Sequence, residues 1–166
     1  MNAKIPSKLV ELARKEVGTE EVNGTNCGPR VDQYKAATTL PPHESWPWCA
    51  AFICWLFREA LKATGVQETA TFKRPTTAGA YDFANWSLAQ DDSTQTKKAP
   101  GRDIQAGDII IFTFSHIGLA IGPPDENGNV PTIEGNTDGQ GSREGGAVLK
   151  KTRHIGKIRT RIRITV

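Results

Sequence analysis

The chain has 166 residues, of which 37% are hydrophobic and 23% are charged. These proportions are ordinary for a single globular domain, and they exclude extended disorder and collagen-like repeats. The longest apolar run, residues 49–57, is about half as long as a membrane-spanning helix, so no membrane span is predicted.

The apolar pattern of the first half of the chain predicts helices. A first helix begins at Pro6 and is stopped by Gly18, and residues 18–48 form a long loop with one helical turn around residues 31–37. A dense apolar segment then predicts a buried helix that starts at Cys49 and closes at Gly65. Because long loops in small domains are usually functional, residues 18–48 are expected to lie near a site.

The second half predicts a different architecture. Thr77 is predicted to cap a third helix running to residue 89, with Leu88 inward, and residues 91–103 are predicted to form a surface loop. Short β-type runs follow over residues 109–114, 117–121, 130–133, 147–151 and 158–166. Helices followed by strands predict an α+β fold with one antiparallel sheet of five or six strands, in a single domain over residues 1–166.

Basic residues are concentrated at the C-terminal end, where residues 150–166 hold seven of the 21 lysines and arginines and no acid. Lys157, Arg159, Arg161 and Arg163 alternate with apolar residues, which predicts a half-buried strand with a cationic outer face. Two interpretations stay open: a sheet edge protected by charge, or a surface that attracts anionic envelope polymers. Nucleic acid is not expected as a partner, because no recognition motif is present.

The sulfur and imidazole groups are scattered along the chain: Cys27, Cys49, Cys54, His43, His116 and His154. An odd cysteine count does not indicate a disulfide framework, and the spacing does not provide the paired ligands of a zinc site. No metal or cofactor is therefore predicted, and one thiol remains a candidate nucleophile.

Cys49 is the strongest candidate for that nucleophile. A cysteine in the first turn of a buried helix meets free N–H groups and the positive end of the helix dipole, which both favour the thiolate. The alternative is an ordinary buried cysteine. Cys54 lies on another face of the same helix and is predicted to be inert, and Cys27 is predicted to be an incidental thiol in a turn.

A thiol nucleophile needs a base, and His116 stands between strongly apolar segments at the start of a predicted strand. Glu134 and Asn136 are two residues apart, so in an extended chain they point to the same face and either could orient the imidazole. The alternatives are a hydrogen-bonded core histidine and a solvated strand end.

Four short motifs occur in an order along the chain that indicates a resemblance to a known family. They are Trp48-Cys49-Ala50-Ala51-Phe52, Gly107-Asp108-Ile109-Ile110-Ile111-Phe112, Ser115-His116-Ile117-Gly118 and Glu134-Gly135-Asn136. In this order they resemble the CHAP family of cysteine, histidine-dependent amidohydrolases/peptidases, and more narrowly its compact phage endolysins. The resemblance extends from about residue 9 to residue 148, and it departs from the family at Cys27 and in lacking an acidic calcium-loop pattern.

The resemblance implies a papain-like α+β fold and an enzyme that hydrolyses an amide bond of peptidoglycan. It implies Cys49 as nucleophile, His116 as general base, Glu134 as the acidic orienter and Asn136 as a polar partner. Trp46 and Trp48 would wall the substrate groove together with Ser115, with ordinary packing as the alternative for one of the two tryptophans. These last three are the expected substrate-binding residues.

The resemblance also suggests where such an enzyme acts. The charged N-terminal segment lacks the apolar core of a Sec-type signal peptide, so the protein is expected to stay in the host cytoplasm until a holin releases it to the periplasm and cell wall. It is expected to be monomeric. Two rival functions remain: a glycosidase using Glu11 and Glu20, and a non-catalytic, cationic wall-binding module.

Overall fold

The computed structural model describes residues 4–140 and 145–166. Within these residues there are four helices: α1 (Lys4–Glu16), α2 (Pro29–Lys35), α3 (Cys49–Thr64) and α4 (Asp82–Leu88). There are six strands: β1 (Thr94–Lys98), β2 (Ile109–Phe112), β3 (Ile117–Ala120), β4 (Asn129–Thr137), β5 (Ala147–His154) and β6 (Ile158–Ile164). The predicted α+β class is confirmed. The signal-peptide prediction falls partly on residues 1–3, outside the described residues.

The six strands form one sheet in the order β1-β6-β2-β3-β4-β5, and every neighbouring pair is antiparallel. Helix α3 packs on β3 and β4, and α1 and α2 pack on α3. Helix α3 ends at Gly65, which has a left-handed φ of 71° and donates its N–H to the carbonyl of Leu61 at 3.0 Å. The nearly continuous apolar sequence of α3 is explained by this central position.

Side chains alternate between two cores on the two faces of the sheet. Ile109 and Ile111 of β2 point into the main core beneath the helices, whereas Ile110 and Phe112 belong to a smaller second core. The second core lies on the face opposite α3. The sheet is therefore covered on both faces near β2, and both cores contribute to the site described below. Among the described residues, no helix is both long and apolar enough to cross a membrane.

The prediction of a surface loop over residues 91–103 is wrong in its first half. Thr94–Lys98 forms the edge strand β1, which pairs with β6 through a register that includes Thr96 opposite Ile162. An edge strand with one exposed face needs few apolar residues, so its polar sequence gave no signal.

Helix α4, which corresponds to the third predicted helix, is shorter than predicted. It begins at Asp82, because Thr77 accepts a hydrogen bond from the Gly79 N–H at 3.1 Å in a local turn instead of capping a helix. Leu88 lies in its last turn and is 72% exposed, so the prediction that it faces inward is wrong.

The prediction of an exposed cationic face on β6 is also wrong. Strand β1 pairs with β6, and acidic residues of the loop before β2 form ion pairs with its arginines. Arg161 donates to Asp103 at 2.7 Å, and Arg163 donates through two nitrogens to Asp108 at 2.9 and 2.8 Å. Of the three arginines of β6, Arg159 alone is exposed. Strand β6 is therefore neither an edge nor a basic docking surface.

The Arg163–Asp108 pair should be important for stability, since Asp108 is only 1% exposed. Replacing Arg163 by alanine would remove the cation that is hydrogen-bonded to this buried carboxylate and leave it to Arg161, whose Nε lies 3.9 Å away. The expected loss of unfolding free energy is about 3 kcal/mol. Equilibrium denaturation in urea measures it. Arg159→Ala is the matched control on the same strand and should change stability much less; equal losses would contradict the importance of the buried pair.

Candidate active site

Cys49 is the first residue of α3, where its sequence position predicts it. The residue before it, Trp48, provides no side-chain cap, and the first N–H groups of a helix have no partner within it, so such donors lie close to the thiol. These groups and the positive end of the helix dipole stabilise negative charge at this point. Cys49 is 6% exposed and therefore just reaches the surface.

The thiol reaches a cleft of about 410 Å³. Its walls come from three segments: the loop before α3, the turn before α4 and the connection between β2 and β3. The lining residues are Leu40, Trp46, Pro47, Cys49, Ala78, Gly79, Ala80 and Ser115. None of these residues is charged, so Cys49 is presented to a mostly apolar groove with small side chains on one side.

His116 immediately precedes β3 and is fully buried. Its ring stacks against Phe112 and Phe114, with centroid distances of 5.8 and 5.9 Å. Its Nε2 atom lies 2.9 Å from Oε1 of Glu134. The two aromatic rings fix the plane of the imidazole, and the carboxylate fixes which nitrogen is engaged.

The other imidazole nitrogen, Nδ1, is buried and makes no hydrogen bond of normal geometry with any part of the chain that the structure describes. Burial opposes protonation of the ring, but the nearby Cys49 sulfur and the hydrogen-bonded Glu134 carboxylate outweigh it and raise the pKa of His116 to about 9. Because Glu134 occupies Nε2, Nδ1 is the nitrogen left to exchange a proton with the Cys49 thiol. Catalytic hydrogen bonds are commonly long before substrate binds.

Glu134 lies on β4 and is fully buried. Thr132 donates to its Oε2 at 2.5 Å, and Arg153 of β5 donates through Nε at 2.9 Å and through Nη2 to Oε1. Burial raises the pKa of this carboxyl, but Arg153 and His116 more than compensate and lower it to about 2. Glu134 is therefore an anion at neutral pH, and it holds the imidazolium form of His116.

Two motif glycines make room for this arrangement. A Cβ on Gly118 would lie 2.7 Å from Cγ of Glu134, and a Cβ on Gly135 would lie 2.8 Å from Cβ of Phe52 in α3. The first glycine lets Glu134 cross β3 towards His116, and the second lets β4 approach the helix that carries Cys49.

Asn136 is fully buried. It does not lie on a regular strand, in which side chains two residues apart, such as those of Glu134 and Asn136, would point to the same face. The β4–β5 register shifts between Glu134 and Thr137, and Asn136 has a left-handed φ of 54° at this bulge. Of the two candidate orienters left open by the sequence, the one hydrogen-bonded to the imidazole Nε2 is Glu134.

The expected substrate-binding residues divide. Trp46 and Ser115 line the cleft beside Cys49. Trp48 is fully buried, donates its indole N–H to Glu21 at 2.9 Å and packs against Tyr34, so the prediction that it walls the groove is wrong. A tryptophan at the junction of a loop and a helix can anchor that helix to the core as readily as it can line a groove.

The other two cysteines lie elsewhere. Cys54 is buried, and that burial raises its pKa to about 12, so it remains a thiol, as its place on another face of the helix suggests. Cys27 is partly exposed, and its sulfur lies 3.6 Å from Nζ of Lys35. Neither lines the cleft at Cys49.

The two carboxylates of the rival glycosidase hypothesis, Glu11 and Glu20, are both exposed. Glu11 is exposed on α1, where hydrogen bonds from Lys8 and Lys15 lower its pKa. A general acid needs the opposite shift. Glu20 is also exposed, in an isolated bridge to Ala147 near β5.

Arg153 is the residue that sequence reasoning missed, because it was counted with the basic C-terminal segment. A signal existed: a buried carboxylate normally needs a cation, and β5 is the strand next to Glu134. Residues 4–140 and 145–166 contain no group of three or more His, Cys, Asp and Glu side chains placed to hold a metal ion.

No family model matches the chain, and no curated protein matches it. Among solved structures, the chain is similar to the crystal structure of the wild-type endolysin LysIME-EF1, with a TM-score of 0.53 and 15% sequence identity. The similarity covers 99% of this chain and 65% of the endolysin chain, so this chain spans about two thirds of the length of that protein. At this identity the likeness establishes a shared α+β fold.

Proposed function

We propose that this chain is a peptidoglycan hydrolase that cleaves an amide bond with Cys49 as nucleophile, His116 as acid and base, and Glu134 as the orienter of His116. The observation that carries the proposal is the buried His116–Glu134 pair coupled to a thiol at a helix start, beside an open cleft. The CHAP-like order of motifs, and a fold shared with a protein named an endolysin, support the choice of substrate.

The chemistry follows from the groups present. The Cys49 thiolate attacks the carbonyl carbon of the scissile amide, and backbone N–H groups at the start of α3 stabilise the negative charge that develops on its oxygen. The C–N bond then breaks. The His116 imidazolium transfers its proton to the departing amine, leaving a thioester on Cys49.

The second half of the reaction restores the enzyme. The neutral imidazole of His116 takes a proton from water as the water attacks the thioester carbon, and the acid product leaves with the thiolate regenerated. Glu134 stays ionised throughout and balances the charge on the imidazolium, as in other nucleophile–base–orienter relays.

In this proposal Trp46 and Ser115 contact the substrate, and Asn136 assists as a buried polar neighbour of the relay. The unit is a single catalytic domain that acts as a monomer without a cofactor. It reaches the cell wall from the host cytoplasm through holin-dependent release. Against the glycosidase alternative, the lowered pKa of Glu11 is the opposite of what a general acid needs, and the wall-binding alternative loses its cationic face.

Mass spectrometry of digested sacculi tests the proposal. New amino and carboxyl ends should appear at an amide bond, without new reducing sugars. A thiol alkylator should stop the digestion because the nucleophile is a thiolate, whereas EDTA should leave it running. Reducing ends would instead indicate a glycosidase, and loss of activity in EDTA with recovery on adding zinc would indicate a metalloamidase.

A further inference from the structure

We infer that Arg153 is a positioning residue of the catalytic relay: it holds Glu134, and through it His116, in the working geometry. This inference rests on the proposed function, because it concerns the same relay. Arg153 does not line the cleft at Cys49, and its side chain is only 13% exposed. Arg153 is therefore not placed to bind substrate in this cleft.

The contact between Arg153 and Glu134 is two-pronged. Nε donates to Oε2 at 2.9 Å and Nη2 donates to Oε1, the same oxygen that lies 2.9 Å from Nε2 of His116. A planar guanidinium that binds both oxygens fixes the plane of the carboxylate as well as its position. A lysine in this place would supply the charge but not the orientation.

Arg153 and His116 also share one aromatic support. The guanidinium carbon of Arg153 lies 5.2 Å from the ring centroids of both Phe112 and Phe114. These are the two rings against which the imidazole of His116 stacks. The cation and the imidazole are thus located by the same two side chains, with Glu134 joining them.

Cations and anions alternate along the relay, so removing Arg153 should change the pH at which Glu134 takes up a proton. Glu134 is faced by His116, by Arg153 and by the hydroxyl of Thr132, and His116 is faced by Cys49 and Glu134. With Arg153 removed, burial would act on Glu134 with His116 as its one remaining cation among the described residues. The carboxyl would then take up a proton at a higher pH than in the wild type.

The test is Arg153→Met in the full chain, assayed on a soluble muropeptide that the wild type cleaves. The expected result is a fall in kcat of roughly 10- to 100-fold with KM little changed, by analogy with residues that orient the ligands of a metal site. The acidic limb of the pH profile should move to higher pH, because Glu134 then titrates within the working range. A folded variant with the wild-type kcat and pH profile would overturn the inference.

Two further variants separate positioning from structure. Arg153→Met placed in a Glu134→Gln background should cause no additional loss, since Arg153 acts through Glu134; an undiminished loss there would also overturn the inference. Arg161→Met is the matched control, because Arg161 is a buried arginine paired with Asp103 away from the cleft. It should leave the acidic limb where it is.

If Arg153→Met does not fold, Arg153→Lys decides the matter. It keeps the charge but not the two-pronged contact, so kcat should fall while the acidic limb stays in place, and an unchanged kcat would overturn the inference. Failure of the proposed function is a different result: Cys49→Ser would then cleave the muropeptide as fast as the wild type.

Discussion

Replacing Cys49 by serine should abolish hydrolysis of sacculi, with a loss of about 10³-fold or more, while the protein stays folded. The reason is that a serine hydroxyl is not ionised by this histidine as a thiol is. The side chain is otherwise of similar size and lies at the edge of the core, at 6% exposure. Turbidity of a sacculus suspension measures the activity, and circular dichroism checks the fold.

The other two cysteines provide matched controls for this prediction. Cys54→Ser lies in the same helix, and its hydroxyl can donate to the carbonyl of Thr77 that now accepts from the thiol at 3.3 Å. Cys27→Ser lies in the loop before α2. Both should keep most of the activity. If Cys27→Ser were inactive and Cys49→Ser active, the nucleophile would have been assigned to the wrong residue.

Replacing His116 by alanine should be as damaging as replacing Cys49, because the two side chains act as one unit. The double variant should be no worse than either single variant. Glu134→Gln should be milder, since an amide oxygen can still accept from the imidazole Nε2–H. Near-normal turnover by His116→Ala would exclude this histidine as the acid and base.

The charge state of His116 gives an independent measurement. Its pKa is raised to about 9, so the imidazolium is present at neutral pH and is lost as the pH rises through about 9. Activity that needs this proton should fall over the same interval. In Cys49→Ser the sulfur that raises the pKa of His116 is gone, so the imidazole should titrate at a lower pH, which NMR of the ring protons detects. An unchanged titration would mean that the two side chains do not interact.

The sequence predicted the parts of the fold that depend on strong apolar patterns. Residues 49–57 of helix α3 and the whole of strand β2 are buried, and both segments are apolar throughout. Strand β1 was missed because it lies at an edge, and the burial of β6 was missed because it depends on β1 and on Asp108, which are distant in sequence. Periodicity shows which face of a strand is apolar, but not what covers the other face.

The candidate site, like the fold, was predictable where it depends on local sequence motifs. Cys49, His116 and Glu134 each stand in a motif whose local chemistry is suggestive, and the structure brings the last two within 2.9 Å. Trp48 and Arg153 were misjudged for one reason. Whether a tryptophan lines a groove or fills a core, and whether an arginine meets solvent or a carboxylate, depends on tertiary neighbours that no local pattern contains.

The thiol and the imidazole are held by different layers of the protein. Cys49 belongs to the helix on one face of the sheet, whereas His116 is held by Phe112 and its neighbours in the smaller core on the other face. The reactive pair therefore does not exist until the helical layer has docked. On the proposed function, a collapsed chain with its helices and sheet formed but loosely packed would not cleave peptidoglycan. In the proposed mechanism, catalytic competence is thus a property of completed packing, and enzyme assays during refolding would time that last step.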